Sequence, residues 1–253
     1  MKIVEIDKLI TSKYPLKNQE TWDESGFRYL SSRTAIVTGV FICLDLTKEI
    51  IESAVKSEIN FIISHHPIFL KNKEAKPTRY ELDMINMLKK HNISFASYHT
   101  NVDNSPEGIS MFVAKQLKLH QIKNIPNTSI VIGKISFPYR PKVFASTIKN
   151  TFDLERIIYT SENLVKNVAI CAGSGFSVFK ENLHKLNAID LFVTGDIKWH
   201  DWQFAKLHKI GIMDVGHDLE NVFIELINKL IMSEVKLLKI QTAINKQDIK
   251  IVI

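Results

Sequence analysis

Five of the nine histidines in this chain stand at or just past the end of a short apolar run. INFII (59–63) leads into Ser64-His65-His66-Pro67, and ISFASY (93–98) leads into His99-Thr100-Asn101-Val102-Asp103. IDLFV (189–193) is followed by Gly195-Asp196 and then His200, and IGIMD (210–214) by Gly216-His217-Asp218-Leu219-Glu220. Even GVFIC (39–43) ends in Leu44-Asp45. Such runs read as strands buried on both faces, and in parallel sheets ligands bind outside the carboxyl ends of the strands. Several strands thus deliver imidazoles and carboxylates to the same edge of a sheet, or to two facing edges. That is the donor chemistry of Zn²⁺, Fe²⁺ or Mn²⁺.

Within a strand, neighbouring side chains point to opposite faces, so one ion rarely takes both members of a His65-His66 pair. At a strand end, before Pro67, the two imidazoles can diverge toward two neighbouring ions. His217 and Glu220, three residues apart on a first helical turn, share a face, and Asn221 shares it too. Asp103 offers a hard anionic ligand, and a bridging carboxylate can hold two cations close enough to share a water. Plainer readings stand beside each of these. A lone HH pair is commonly a cap or a surface feature. His99 and His200 suit a buried, hydrogen-bonded role as well as proton transfer. His91, His120, His184 and His208 lie in helical or Lys-rich stretches and read as solvated. Gly173-Ser174-Gly175 is a weak signature that a strand-to-helix turn explains. Trp199 and Trp202 can stack on a base, although core or interface packing accounts for them too. The convergence of strand ends favours the metal.

The elements that must position these residues alternate along the chain. Residues 38–44, 59–63 and 93–98 read as strands, and 48–56, 81–90 and 108–119 as helices. Residues 168–171, 189–193 and 210–214 repeat the strand pattern, with a helical run to about residue 231. Strands separated by helices imply parallel sheets built from βαβ units. The polar stretch 121–128 (QIKNIPNT) is the linker candidate, and 130–138 is expected to pair antiparallel near a sheet edge. Two α/β lobes with mainly parallel or mixed sheets follow, residues 1–124 and 125–253, with the C-terminal helix free to return to the first lobe. A chain of 253 residues can bury such cores, and 45% hydrophobic with 24% charged residues excludes a disordered or collagen-like chain. The formal charge of +6 is a weak sign of an anionic ligand. Cys43 and Cys171 are the only cysteines, which excludes a disulfide framework and suggests a reducing, cytoplasmic setting. No apolar stretch reaches the roughly 18 residues of a membrane span, and MKIVEIDKLI is not a signal peptide.

The blocks TWDESGF (21–27), CLDLT (43–47), SHHPIF (64–69) and SYHTNVDNSPEG (97–108) carry a resemblance. With CAGSG (171–175), TGDIKWHD (194–201) and DVGHDLE (214–220), they stand in the order found in the NIF-three-like proteins, also called GTP cyclohydrolase 1 type 2 homologs. The chain resembles a short member without the middle domain of longer ones. The resemblance implies two α/β lobes, a dinuclear metal site in the cleft between them and a homohexameric ring. It implies His65, His66, Asp103 and His217 as metal ligands. Where the family places its last glutamate this chain has Asn221, and Glu220 is expected to take over that role. Asp196 stands where the family more often has Glu. The implied activity is metal-dependent hydrolysis of GTP to formate and 7,8-dihydroneopterin triphosphate, with His99 and His200 as catalytic proton carriers. Other readings are hydrolysis of a phosphoester or another small metabolite, or a non-enzymatic role as a metal-binding ring or a regulator that binds protein or DNA.

Overall fold

In the computed structural model, residues 1–68, 76–186 and 188–244 are described. Phe69 of the SHHPIF block and the Lys-bearing end at 245–253 lie outside them. The chain runs through α1 (Ile3–Lys13), β1 (Gly26–Tyr29), β2 (Val40–Cys43), α2 (Lys48–Lys56), β3 (Phe61–Ser64), α3 (Arg79–Lys90), β4 (Ser94–Ser97) and the short α4 (Thr100–Asp103). It continues with α5 (Ile109–Gln116), β5 (His120–Asn124), β6 (Val131–Tyr139), α6 (Pro141–Phe152), β7 (Ile158–Tyr159) and β8 (Val165–Ile170). Then come α7 (Phe176–Glu181), β9 (Leu191–Thr194), α8 (Trp199–Leu207), β10 (Gly211–Asp214), α9 (Val222–Glu234) and β11 (Ile240–Ala243). Two units result, Met1–Val102 with Phe223–Ile253, and Asp103–Val222.

The first unit holds a five-stranded sheet in the order β1-β4-β3-β2-β11. β4, β3, β2 and β11 are parallel and β1 is antiparallel to β4. Every residue of β2, β3 and β4 is buried, as the unbroken apolar runs require. Phe41, Cys43, Ile62 and Phe95 meet Ile50, Ile51 and Ala54 of α2 and Met84 and Leu88 of α3 in one core. Thr47 starts α2 by accepting from the Ile50 N–H, and Thr78 and Glu81 cap α3 reciprocally. On α1, Ile3, Ile6 and Ile10 recur at helical spacing and are fully buried. Asp7 of the same helix accepts from the Tyr98 hydroxyl at 2.7 Å, tying α1 to the end of β4. Burial pushes both groups up, the Tyr98 hydroxyl well above its usual range.

The second unit holds a six-stranded sheet in the order β5-β6-β8-β9-β10-β7. β8, β9 and β10 are parallel, and the other strands run antiparallel to their neighbours. Ala169, Cys171, Phe192 and Ile212 face Phe176 and Phe179 of α7 and Ala205 of α8. The Phe179 and Phe192 rings stack at 4.2 Å. Residues 121–124, read as linker, belong instead to β5, an edge strand of this sheet. Its polarity reflects solvent exposure along nearly its whole length. The units therefore divide after Val102 and again after Val222, where the sequence drew one boundary after residue 124. No helix among the described residues is long and apolar enough to cross a membrane.

Register sets up the donors. Cys43 pairs with Ser64 and Ser64 with Ser97, so the carboxyl ends of β2, β3 and β4 are level. In the second sheet Ile170, Val193 and Met213 are level in the same way. Whatever follows these residues is presented at one sheet edge.

Candidate functional site

In the first unit, Asp45, His65, His66 and His99 follow the level strand ends. One nitrogen from each of His65, His66 and His99 lies within 4.8 Å of the others. Their rings are 5.0 to 5.5 Å apart. His65 is fully buried, stands 4.9 Å from the Phe223 ring, and directs Nδ1 at the Tyr98 carbonyl at 3.0 Å. A carbonyl only accepts, so Nδ1 carries the proton and Nε2 the lone pair. His66 Nδ1 lies 2.7 Å from Asp45 Oδ1 and is fixed in the same tautomer. This is how metal-bound histidines are held: the outer nitrogen donates to a carboxylate or carbonyl, which orients the ring and raises its basicity.

His99 Nδ1 stands 3.2 Å from Asp23 Oδ1, bent away from a straight hydrogen bond. Asp23 is itself held. Its Oδ2 accepts from the Thr100 hydroxyl at 2.6 Å, the Thr100 N–H at 3.0 Å and the Ser25 hydroxyl at 3.2 Å. Burial opposes its charge, but the His99 imidazole and the Thr100 donors outweigh it and hold the carboxyl well below its usual range. The TWDESGF block thus supplies a fixed anion behind His99. The Trp22 ring meets His99 edge-on at 5.7 Å.

In the second unit, His217 stands between two carboxylates. Nδ1 is 2.5 Å from Asp196 Oδ2 and Nε2 is 2.8 Å from Glu220 Oε2. With a proton on each nitrogen, Asp196 first and Glu220 second push the imidazole up to about 11. Residues His217–Asn221 form a 3₁₀ turn. With three residues per turn, positions i and i+3 eclipse, which sets Glu220 under His217. Asn221 is turned aside, its amide donating to the Asp218 carbonyl at 3.0 Å. Gly216 makes the approach to this turn with φ 74°, a conformation that favours glycine. Gly173 has φ +68°, and a Cβ there would fall 1.9 Å from Glu220 Oε1. The CAGSG block therefore leaves room for a carboxylate, a role that its glycine spacing did not disclose.

Asp103 ends α4, half-buried. Its charge and that of Glu220 both reach the buried Cys171, whose thiol is pushed up to about 12, chiefly by burial. His200 is not brought to these donors. Its side chain is 71% exposed and its ionic neighbour is Asp201 at 3.4 Å. Three supporting carboxylates, Asp23, Asp45 and Asp196, were not among the site residues expected from sequence. The signal was there, because Asp45 and Asp196 also stand just past strand ends. Asp23, in an irregular segment, has no periodicity to mark it. The chemistry of the donors fits a divalent ion: His65 and His66 are held with the lone pair on Nε2, and in the second unit His217 faces the Glu220 carboxylate.

The Duf34/NIF3 (NGG1p interacting factor 3) family matches residues 1–249. A GTP cyclohydrolase 1 type 2 homolog of Ureaplasma parvum is 32% identical over 234 residues, covering 90% of this chain and 88% of its own. The homolog of the same name from Mycoplasmopsis pulmonis is 32% identical over 243 residues, covering 90% and 92%. A Staphylococcus aureus relative is 24% identical over 346 aligned positions, more than the 253 residues here, so it carries a segment without counterpart in this chain. Among solved structures, a Staphylococcus aureus hypothetical protein superposes with a TM-score of 0.86 at 26% identity, covering 100% of this chain and 99% of its own. A Bacillus cereus protein related to NIF3 gives 0.85 at 19% identity over 100% and 99% of the two chains, a likeness of fold. With the match running from end to end of the described residues, the chain belongs to the Duf34/NIF3 family.

Proposed function

We propose that the protein is a hydrolase dependent on two divalent metal ions, Zn²⁺, Fe²⁺ or Mn²⁺, and that it acts on a nucleotide, with GTP the lead substrate. The observation that supports the metal is the backing of the histidines: Asp45 behind His66, Asp196 behind His217 and the Tyr98 carbonyl behind His65. In this reading His65 and His66 of the first unit, and Asp103, His217 and Glu220 of the second, would hold the ions. A divalent ion held there supplies Lewis acidity and lowers the pKa of water toward about 7.

The chain's own residues do the rest. Asp45 and Asp196 keep the imidazoles in the tautomer that presents Nε2. His99, with its Nδ1 side against Asp23, has Nε2 to take a proton from the attacking water and return it to the guanine nitrogen freed as the ring opens. Asp23 stabilises the imidazolium formed meanwhile. Water adds at C8 and opens the ring to a formamide, and a second water hydrolyses the formamide to release formate. The ribose carbons then rearrange and close on the freed amine with loss of one water to give 7,8-dihydroneopterin triphosphate. His200, exposed, is given no step. GTP as substrate rests on the name carried by relatives at 32% identity. The homohexamer rests on family membership, and sedimentation of the purified protein reads it directly.

The test is turnover. Protein supplied with Zn²⁺, Fe²⁺ or Mn²⁺ is assayed for formate and for the fluorescence of oxidised pterin, against chelated protein and His66→Ala. Turnover that needs metal and is lost in the variant supports the whole reading. No formate from metal-replete protein removes GTP, and turnover of a phosphoester panel by the same preparation would replace it with phosphoryl chemistry.

A further inference from the structure

The second unit contains a cavity of about 800 Å³ between α8 and the edge strand β7 with the residues that follow it. Its size falls in the range of small-molecule sites. Trp199, Trp202, Gln203 and Lys206 line it from α8. Their spacing of i, i+3, i+4 and i+7 puts all four on one face of the helix. Trp199 is 78% exposed, an unusual cost for the largest apolar side chain, and Trp202 is half-buried beside it.

Lys209 adds a second cation at the wall, and Ser161, Glu162 and Asn163 face α8 from the β7 side. Among the described residues, none of these side chains makes a hydrogen bond or ion pair within the protein. That includes the Ser161 hydroxyl, on a residue only 9% exposed. Uncommitted donors and acceptors are thus concentrated around an aromatic floor with two cations at one side.

We propose that this cavity binds a nucleoside phosphate, its base stacked on Trp199 and its phosphate held by Lys206 and Lys209. An indole face accepts any base, and such stacking is sequence-tolerant. Two ammonium groups three residues apart suit a phosphate better than a carboxylate-bearing or neutral ligand. Glu162 and Asn163 are left to hydrogen-bond the base edge or the ribose hydroxyls. The phosphate end of the site, at Lys209 and Gly211, lies at the opposite end of β10 from the donors that follow Asp214. The proposal does not rest on the hydrolase reading.

Full-length protein stripped of metal is titrated with AMP and GMP by calorimetry and by indole fluorescence, so that no hydrolysis is read. Adenosine and inorganic phosphate are run as controls. Saturable nucleotide binding is expected, about 10-fold or more weaker in Trp199→Ala and in the Lys206→Gln/Lys209→Gln double variant. Adenosine should bind more weakly than AMP, and the affinity should fall with added salt. His66→Ala should bind as the wild type does. All the substituted cavity residues are exposed, so the variants should fold, which circular dichroism checks. Absence of saturable binding overturns the proposal, as does equal binding by wild type and cavity variants. Loss confined to His66→Ala would put the nucleotide at the histidines instead. A change of sedimentation in Trp199→Ala without any nucleotide effect would make the cavity a contact between copies and would also overturn it.

Discussion

At the scale of single residues, the chemistry depends as much on the carboxylates behind the histidines as on the histidines. Asp196→Asn keeps the size of the side chain but loses the charge that orients and enriches His217. Removing such a partner characteristically costs about 10- to 100-fold in metal affinity, to be read by competition with a chromophoric chelator. The pH dependence has a definite sign. His217 is raised to about 11, so near neutrality it carries a proton that an incoming ion must displace. Affinity should therefore rise with pH, and calorimetry in buffers of different ionisation enthalpy should find about one proton released per ion at this position. Without metal, the Asp196–His217–Glu220 contact contributes stability that is complete below the ordinary histidine value of 6.5 and fades as pH rises through about 11. Asp23 has the opposite sign. Its depressed carboxyl contributes stability present above the ordinary 3.8 and lost progressively in more acidic solution.

At the scale of elements, the 3₁₀ turn His217–Asn221 decides which residue completes the second unit's donor pair. Glu220→Gln should weaken metal binding at least about 10-fold, and adding Asn221→Glu should not restore it, because position 221 does not eclipse 217. Gly173→Ala tests the same point from the other side. It should displace the Glu220 carboxylate and cost on the order of 1–3 kcal/mol for the positive φ, seen as joint loss of metal and of thermal stability. Much of this was legible in the sequence. The buried runs at β2, β3, β4, β9 and β10 were plain, because a short unbroken apolar stretch between polar residues suits a strand covered on both faces. The helix Lys48–Lys56 was legible to its ends from the spacing of its apolar residues, and the structure adds Thr47 as its cap. The elements that could not be read were those lacking such a pattern. β1 is four residues long and mostly half-buried, β7 has two residues, and α1 is rich in the β-branched residues that blur helix with strand. The 3₁₀ turn was equally hidden, since a spacing of three residues suits either kind of helix.

At the scale of the whole molecule, the first unit is discontinuous. Its sheet ends on β11, which arrives from the far end of the chain and pairs in parallel with β2, Ile240 opposite Val40 and Ala243 opposite Cys43. Truncation after residue 238 should uncover the fully buried, apolar β2 as a sheet edge. The expected result is aggregation, measured by light scattering of the purified fragment, rather than a soluble protein lacking one strand. The same pairing bears on how the protein is made. A ribosome releases residues 103–222, a contiguous stretch with its own sheet, well before it releases β11. The inserted unit can therefore fold while the strand that flanks β2 is still inside the exit tunnel. For that interval the β2 edge has no partner, and a chaperone able to shield a bare strand would find its client there. Protease challenge of stalled ribosome-bound chains of increasing length should accordingly find β8, β9 and β10 resistant before Val40–Cys43.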